Sequence, residues 1–317
     1  MDFSARFVLF QAMIIAPFAL GYFTKRRYAR PEALTKRLIR VNLTVFEPLL
    51  VFWSIWGLEM NRELWFLPTS GVLLVLAGMA IGAVLAWIRG LRERPRATFI
   101  ISSSLANHGF TMGGFLCYLL LGEKGLALSF LFIAYFMPFI FLVIFPYARL
   151  VQTGARSRPA WIKDFVLNLQ NMPLYAMAAA MALRMPGYVR PDVFFPTDVL
   201  LMVSIGLYYF TLGVNFTVRD LWAFNHDNLL LFLVRFLAVP ALALLALAGV
   251  RLDPGIEAVI MIESFMPAAV YSVVASVLFD LDAKRASSLF VFNTVVFLVV
   301  VLPALLFFKT MLLDIIL

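Results

Sequence analysis

The chain has 317 residues, of which 63% are apolar and 14% charged, and its mean hydropathy is +0.94. A water-soluble domain is about half apolar and a quarter charged, so these proportions describe an all-α polytopic membrane protein and exclude an ordinary soluble enzyme. Ten spans of roughly 20 residues take about 200 residues and leave no length for a separate soluble domain. The single cysteine, Cys117, lies in an apolar stretch, which excludes a disulfide framework or a cysteine metal site.

Ten apolar segments follow in order, at 7–23, 41–57, 66–88, 98–121, 126–148, 165–183, 197–213, 228–248, 256–279 and 286–308. Charges, prolines and glycines separate them. The first is not a cleaved signal peptide, because its basic cluster (Lys25, Arg26, Arg27 and Arg30) follows the apolar run. Of the 26 Lys and Arg, 18 fall in the loops after odd-numbered segments, 7 fall on the opposite side, and Arg235 lies within a segment. Cytoplasmic loops carry the positive excess, so both termini are expected outside. The net charge of +8 then faces anionic lipid headgroups and not nucleic acid.

Short motifs recur about 160 residues apart. Tyr28-Ala29-Arg30-Pro31-Glu32 is answered by Tyr188-Val189-Arg190-Pro191-Asp192, Arg62-Glu63-Leu64 by Arg219-Asp220-Leu221, and Leu126 to Phe132 by Ala286 to Phe292. A unit of five spans is odd, so its second copy must cross the membrane inverted, an arrangement typical of secondary transporters. The expected organisation is a first repeat at 1–148, a cytoplasmic linker at 149–164 and an inverted repeat at 165–317.

Two segments in equivalent places, the fourth and ninth, are poor continuous helices. One reads Ser102-Ser103-Ser104-Leu105-Ala106-Asn107-His108-Gly109-Phe110-Thr111-Met112-Gly113-Gly114, and the other Glu263-Ser264-Phe265-Met266-Pro267-Ala268-Ala269-Val270-Tyr271-Ser272. Irregular backbone at mid-membrane needs cover from protein or a water-filled cavity. Crossing broken helices would gather two positive N-terminal ends suited to a small anion, and carbonyl ends suited to a cation or proton carrier. For either break alone, a proline kink or close glycine packing is an equal explanation; Gly109 and Gly113 form a G-x-x-x-G. Gly78 and Gly82 form another, best read as packing.

Candidate ligand positions are Asn107, His108, Gly109, Gly113, Met266, Pro267, Ala268 and Tyr271. Glu263, with Ser103 and Ser104, is the candidate coupling site, because a carboxylate at that depth is costly unless paired, protonated or bound to a cation such as sodium. Glu47, Arg235 and Asn293 are candidate polar support, the first two equally readable as ion-pair members or snorkelling chains. Asn42-Leu43-Thr44 and Asn215-Phe216-Thr217 match a glycosylation pattern but fall within a span and on the inner side. The chain has no H-E-x-x-H, G-x-S-x-G, Walker loop or CxxC, and two histidines with one cysteine argue against a transition-metal site. No cofactor is expected beyond a coupling ion.

The run Asn42…Phe46-Glu47-Pro48-Leu49…Phe52, then Ser104 to Phe110, Gly122 to Ala127, Gly213-Val214-Asn215, and Glu263 to Val270 before Leu281-Asp282, resembles the auxin efflux carrier family, in its prokaryotic type. More distantly the chain is similar to the bile acid:sodium symporters, whose ninth helix has a glutamate three residues before a methionine, as Glu263 and Met266 stand here. The resemblance implies ten helices, a scaffold of helices 1, 2, 6 and 7, a transport group of helices 3–5 and 8–10, elevator-like movement, a homodimer, and an organic anion held where helices 4 and 9 cross. It carries Asn107 and Pro267 over as crossover positions. The chain departs from the family pattern at Gly114, where proline is common, at Tyr271, where asparagine is common, and at His108, where the residue is usually smaller.

The expected function is therefore secondary transport of a small carboxylate or auxin-like acid across a plasma membrane, coupled to sodium, to protons or to neither. The rival expectation is a non-transporting sensor using the same cavity. A membrane-embedded enzyme is the weakest reading, since no paired catalytic constellation occurs.

Overall fold

The computed structural model describes residues 3–28, 31–109, 112–154, 169–216 and 224–307. Residues 155–164 of the expected linker, Arg219-Asp220-Leu221 and Ala29-Arg30 of the recurring motifs, and Phe110 and Thr111 lie outside them. No strand occurs among the described residues.

In chain order the first helices are α1 (Phe3–Thr24), α2 (Pro31–Val41), α3 (Glu47–Trp56), α4 (Phe66–Ile88), α5 (Glu93–Ser104), α6 (Gly113–Phe132), α7 (Phe136–Phe139) and α8 (Phe145–Thr153). After these come α9 (Met172–Arg184), α10 (Thr197–Asn215), α11 (Asn225–Leu233), α12 (Val239–Leu247), α13 (Pro254–Ser264), α14 (Val270–Leu278), α15 (Ala283–Val296) and α16 (Leu302–Phe307). Among the described residues six helical stretches are long and apolar enough to cross a membrane: Ala33–Trp56, Arg62–Ile88, Gly113–Thr153, Thr197–Val214, Asn225–Leu247 and Ala283–Leu306. The fourth and ninth apolar segments do not qualify as single spans because each is broken. Their pieces α5, α13 and α14 have 12, 11 and 9 residues, well short of the 20 or so that a bilayer needs. The Gly113–Thr153 stretch is itself interrupted at Gly122, whose φ of 69° and ψ of −156° belong to a region only glycine occupies readily.

Four π-helical stretches, Asn42–Phe46, Ile140–Ile144, Val234–Ala238 and Phe297–Val301, share one local cause. Each ends two residues before a proline: Pro48, Pro146, Pro240 and Pro303. Proline brings no N–H to the carbonyl four residues back and its ring crowds that carbonyl. The ladder widens ahead of it by one residue, as in the Glu47 N–H bond to the Asn42 carbonyl and the Val239 N–H bond to the Val234 carbonyl.

The chain divides into two compact units. Unit 1 comprises Met1–Asn61, Gly109–Phe130 and Asp164–Thr217; unit 2 comprises Arg62–His108, Leu131–Lys163 and Val218–Leu317. In unit 1, α1 and α10 approach so closely that a Cβ on Gly21 would strike the Phe210 carbonyl and one on Gly213 the Phe18 carbonyl. Small residues permit such backbone contact where lipid supplies no hydrophobic drive. One end of the unit is tied by Arg190, which lies over the Trp53 ring at 4.7 Å and pairs with Glu123 at 3.5 Å, and by the Tyr118 hydroxyl donating to Asp198.

In unit 2, α4 presents Gly78 and Gly82 to α5. A Cβ on Gly78 would overlap the Ser103 carbonyl, and one on Gly82 would meet the Ser103 side chain. This G-x-x-x-G is a packing surface, and it seats the end of the broken helix. At one end of the unit, buried Asp227 is bonded to Arg285 and lies 3.6 Å from Arg89, while Arg285 also pairs with Asp282 at 3.0 Å. These bonds join the start of α11 to the starts of α15 and the end of α4.

Candidate functional site

The candidate site is built where α5 and α13 stop. A helix end leaves backbone groups without partners, and inside a bilayer no water can take them. Here the two broken ends serve each other. The Asn107 N–H donates to the Pro267 carbonyl at 2.7 Å, and the Ala269 N–H donates to the Leu105 carbonyl at 2.9 Å. The pair forms an antiparallel bridge centred on Ala106 and Ala268. Leu105, Ala106, Met266 and Ala268 are fully buried. Pro267 suits its place because the bridge asks only for its carbonyl, and Ala106 and Ala268 are small enough for two backbones to meet.

The carbonyls that finish α5 and α13 still need donors, and Arg235 supplies them. Its Nε and Nη2 donate to the Met266 carbonyl at 3.2 and 2.9 Å, and its Nη1 to the Ser103 carbonyl at 3.4 Å. Only 1% of the residue is exposed. Helix C-terminal ends carry about half a negative charge each, so one guanidinium lies between two such ends and is partly balanced by them. Arg235 holds this place from the π turn ahead of Pro240.

Further side chains converge within unit 2. Asn293 of α15 accepts the Ala268 N–H at 3.0 Å, which fixes the bridge from a third helix. His108 Nδ1 is 2.8 Å from the Tyr135 hydroxyl, and its ring meets Phe132 edge-on at 5.0 Å. Tyr135 lies in the electrostatic field of both Arg235 and Glu263. Glu263, in the last turn of α13, is fully buried. Ser104 donates to the Val75 carbonyl at 3.2 Å, whereas the buried Ser103 hydroxyl has no hydrogen-bond partner. The Tyr271 ring packs edge-on against Phe136 at 5.5 Å. Asn107 is half-buried, its backbone used by the bridge.

Asn107, His108, Ser103, Ser104, Arg235, Glu263, Met266, Pro267, Ala268, Tyr271 and Asn293 therefore belong to one unit, and the bridge, Arg235 and Asn293 join five helices there. Gly109 and Gly113 belong to unit 1, as does Glu47. Gly109 has a φ of 79°, and its carbonyl accepts the Gly114 N–H at 2.7 Å. A proline at 114 could not make that bond. Tyr135 was not among the sequence candidates: it is one aromatic in a segment rich in them, and only the fold brings it to His108.

This arrangement suits ligand capture more than chemistry. The N-terminal end of α14 has no side-chain cap, so its partial positive charge is available to an anion. Residues 9–164 match the model of a family described as membrane transport protein. Over these residues the chain is similar to the auxin efflux carrier family. That segment contains the first interruption, Asn107 and His108. With the apolar helices, this similarity supports an integral membrane protein. No curated protein matches the chain.

Proposed function

We propose that the protein is a secondary transporter of a small organic anion, a carboxylate or auxin-like acid, working by elevator-type alternating access. The observation that carries this reading is the bridged pair of interrupted helices with a buried guanidinium on their C-terminal ends. It leaves an uncapped positive helix start beside Asn107, His108 and Tyr271, where a carboxylate finds donors without a fixed metal.

An inverted pair of five-helix repeats is supported by helix ends that recur at a near-constant spacing. α4 ends at 88 and α12 at 247, 159 apart; α5 ends at 104 and α13 at 264, 160 apart; α1 ends at 24 and α9 at 184, again 160 apart. The division into a scaffold (helices 1, 2, 6 and 7) and a transport group is supported by α1, α2, α3, α9 and α10 falling in unit 1 while α4, α5 and α11 to α16 fall in unit 2. Both termini lie outside in this reading, by the loop charges. Coupling at the crossover rests on Glu263, with His108 and Tyr135 as proton partners. The carbonyls that a sodium ion would seek there are given to Arg235.

The test is uptake of labelled dicarboxylates and auxin-like acids into proteoliposomes. Accumulation that stops when the imposed ion gradient is collapsed is expected; saturable binding without flux would replace the transporter with a sensor. Asn107→Ala should weaken binding by about tenfold, the equivalent of 1.4 kcal/mol, with unfolding unchanged. Full affinity in that variant removes Asn107 from the site.

A further inference from the structure

Unit 1 holds a second buried polar cluster that the crossover reading does not use. Its origin is Pro48. In an α-helix, residues five apart lie about 140° apart around the axis at 3.6 residues per turn. The π turn ahead of Pro48 closes a five-residue loop from the Glu47 N–H to the Asn42 carbonyl and brings the two side chains together. Asn42 Nδ2 donates to Glu47 Oε1 at 3.4 Å and to the Ser204 carbonyl at 3.2 Å. Ser204 and Tyr208 stand one turn apart on the same face of α10, and the Tyr208 hydroxyl also donates to Glu47 Oε1.

The Asn42 amide and the Tyr208 hydroxyl donate to Glu47 Oε1 or to the Ser204 carbonyl. Asn42 Oδ1, Glu47 Oε2 and Ser204 Oγ are left without a hydrogen-bond partner, and all three residues are fully buried. A buried carboxylate is expensive unless compensated, and among the described residues no cation pairs with Glu47. On α9, Arg184 gives its Nε to the Leu58 carbonyl. On α2, Lys36, Arg37 and Arg40 are exposed. On α10 the facing titratable groups are the phenols Tyr208 and Tyr209. Lys25 is held at 2.6 Å by the Phe216 carbonyl.

We propose that Asn42, Glu47 and Ser204 form a binding site in unit 1 for a desolvated monovalent cation of sodium's size. The ligand set is all oxygen, hard and singly anionic. One carboxylate matches one positive charge, whereas calcium sites gather six to eight oxygens and usually several carboxylates. The site is separate from the crossover and needs no transported substrate to be observed.

Thermal unfolding of the purified protein, titrated with sodium chloride against potassium and choline chlorides at constant ionic strength, tests it, because an ion that binds only the folded state raises the midpoint by mass action. The wild type should show a saturable rise specific to sodium. Ser204→Ala, which removes one ligand oxygen from a helix without adding bulk, should weaken the apparent sodium affinity tenfold or more; Glu47→Gln should abolish the shift; Glu263→Gln should keep it. An equal rise with potassium or choline, an unchanged affinity in Ser204→Ala, or loss of the shift in Glu263→Gln alone would overturn the site. The last outcome would place the ion at the crossover. If Glu47→Gln does not fold, Ser204→Ala still decides. Failure to detect flux in liposomes would leave this result untouched, so the two readings fail separately.

Discussion

Arg235 shows how one side chain can be both costly and indispensable. Stripping a guanidinium of water costs several kcal/mol, and three bonds to the carbonyls of Ser103 and Met266 offset it. Arg235→Gln should therefore destabilise the protein by about 3–5 kcal/mol, the usual range when half of a buried charged arrangement is removed. Arg235→Lys keeps the charge but not the fork and should cost less. Denaturant or thermal unfolding of both variants checks this; a loss below about 1 kcal/mol in the glutamine variant would show that the carbonyls find other donors. Gly114→Pro inserts the residue common in the family yet removes the N–H given to Gly109, and should cost about 1–3 kcal/mol in the same assay. Sequence alone marked Asn107, Pro267 and Glu263 because polarity in an apolar run is conspicuous. It could not assign Arg235, since an ion pair, a snorkelling chain and a carbonyl cap look alike until the distant carbonyls are in place.

At the level of helices, prolines decide where the ladder widens and glycines decide where backbones touch. Pro48→Ala restores an N–H to the Thr44 carbonyl and should let the turn relax toward α geometry, rotating Asn42 away from Glu47. The expected result is a folded protein whose sodium-dependent thermal shift is reduced; an undiminished shift would mean that the π turn does not build the cluster. Pro17 lies within regular α-helix in α1, so a proline alone does not dictate a widened turn. Gly213→Leu would force its side chain into the Phe18 carbonyl and should cost more than about 3 kcal/mol, the upper end of overpacking penalties, measured as a fall in unfolding midpoint. The Gly78 and Gly82 surface was readable from spacing as packing. The four π turns were equally present in the sequence, each signalled by a proline inside an apolar run, but an apolar segment reads the same whether its ladder closes over four residues or five.

For the molecule as a whole, composition and loop charge were enough to give an all-helical membrane protein, because both depend on counts and not on packing. The paired interruptions were also visible, since serines, glycines and a proline at mid-span contradict a lipid-facing helix. What spacing could not reveal was how the breaks are satisfied: the Asn107–Pro267 and Leu105–Ala269 bonds join residues about 160 positions apart. The number of spans is less legible still, as the pieces of a broken helix fall below membrane length even when together they cross it. A consequence follows from the charge that Arg235 carries into the crossover. A dissolved ion occupies its site according to its concentration in the bath; a charge tethered to the chain does not, and neither dilution nor exchange removes it. Substrate affinity in Glu47→Gln, which removes the charged ligand of the sodium site proposed in unit 1, should therefore be the same in sodium and in choline. A protein built this way keeps its crossover electrically set while the salt around it changes.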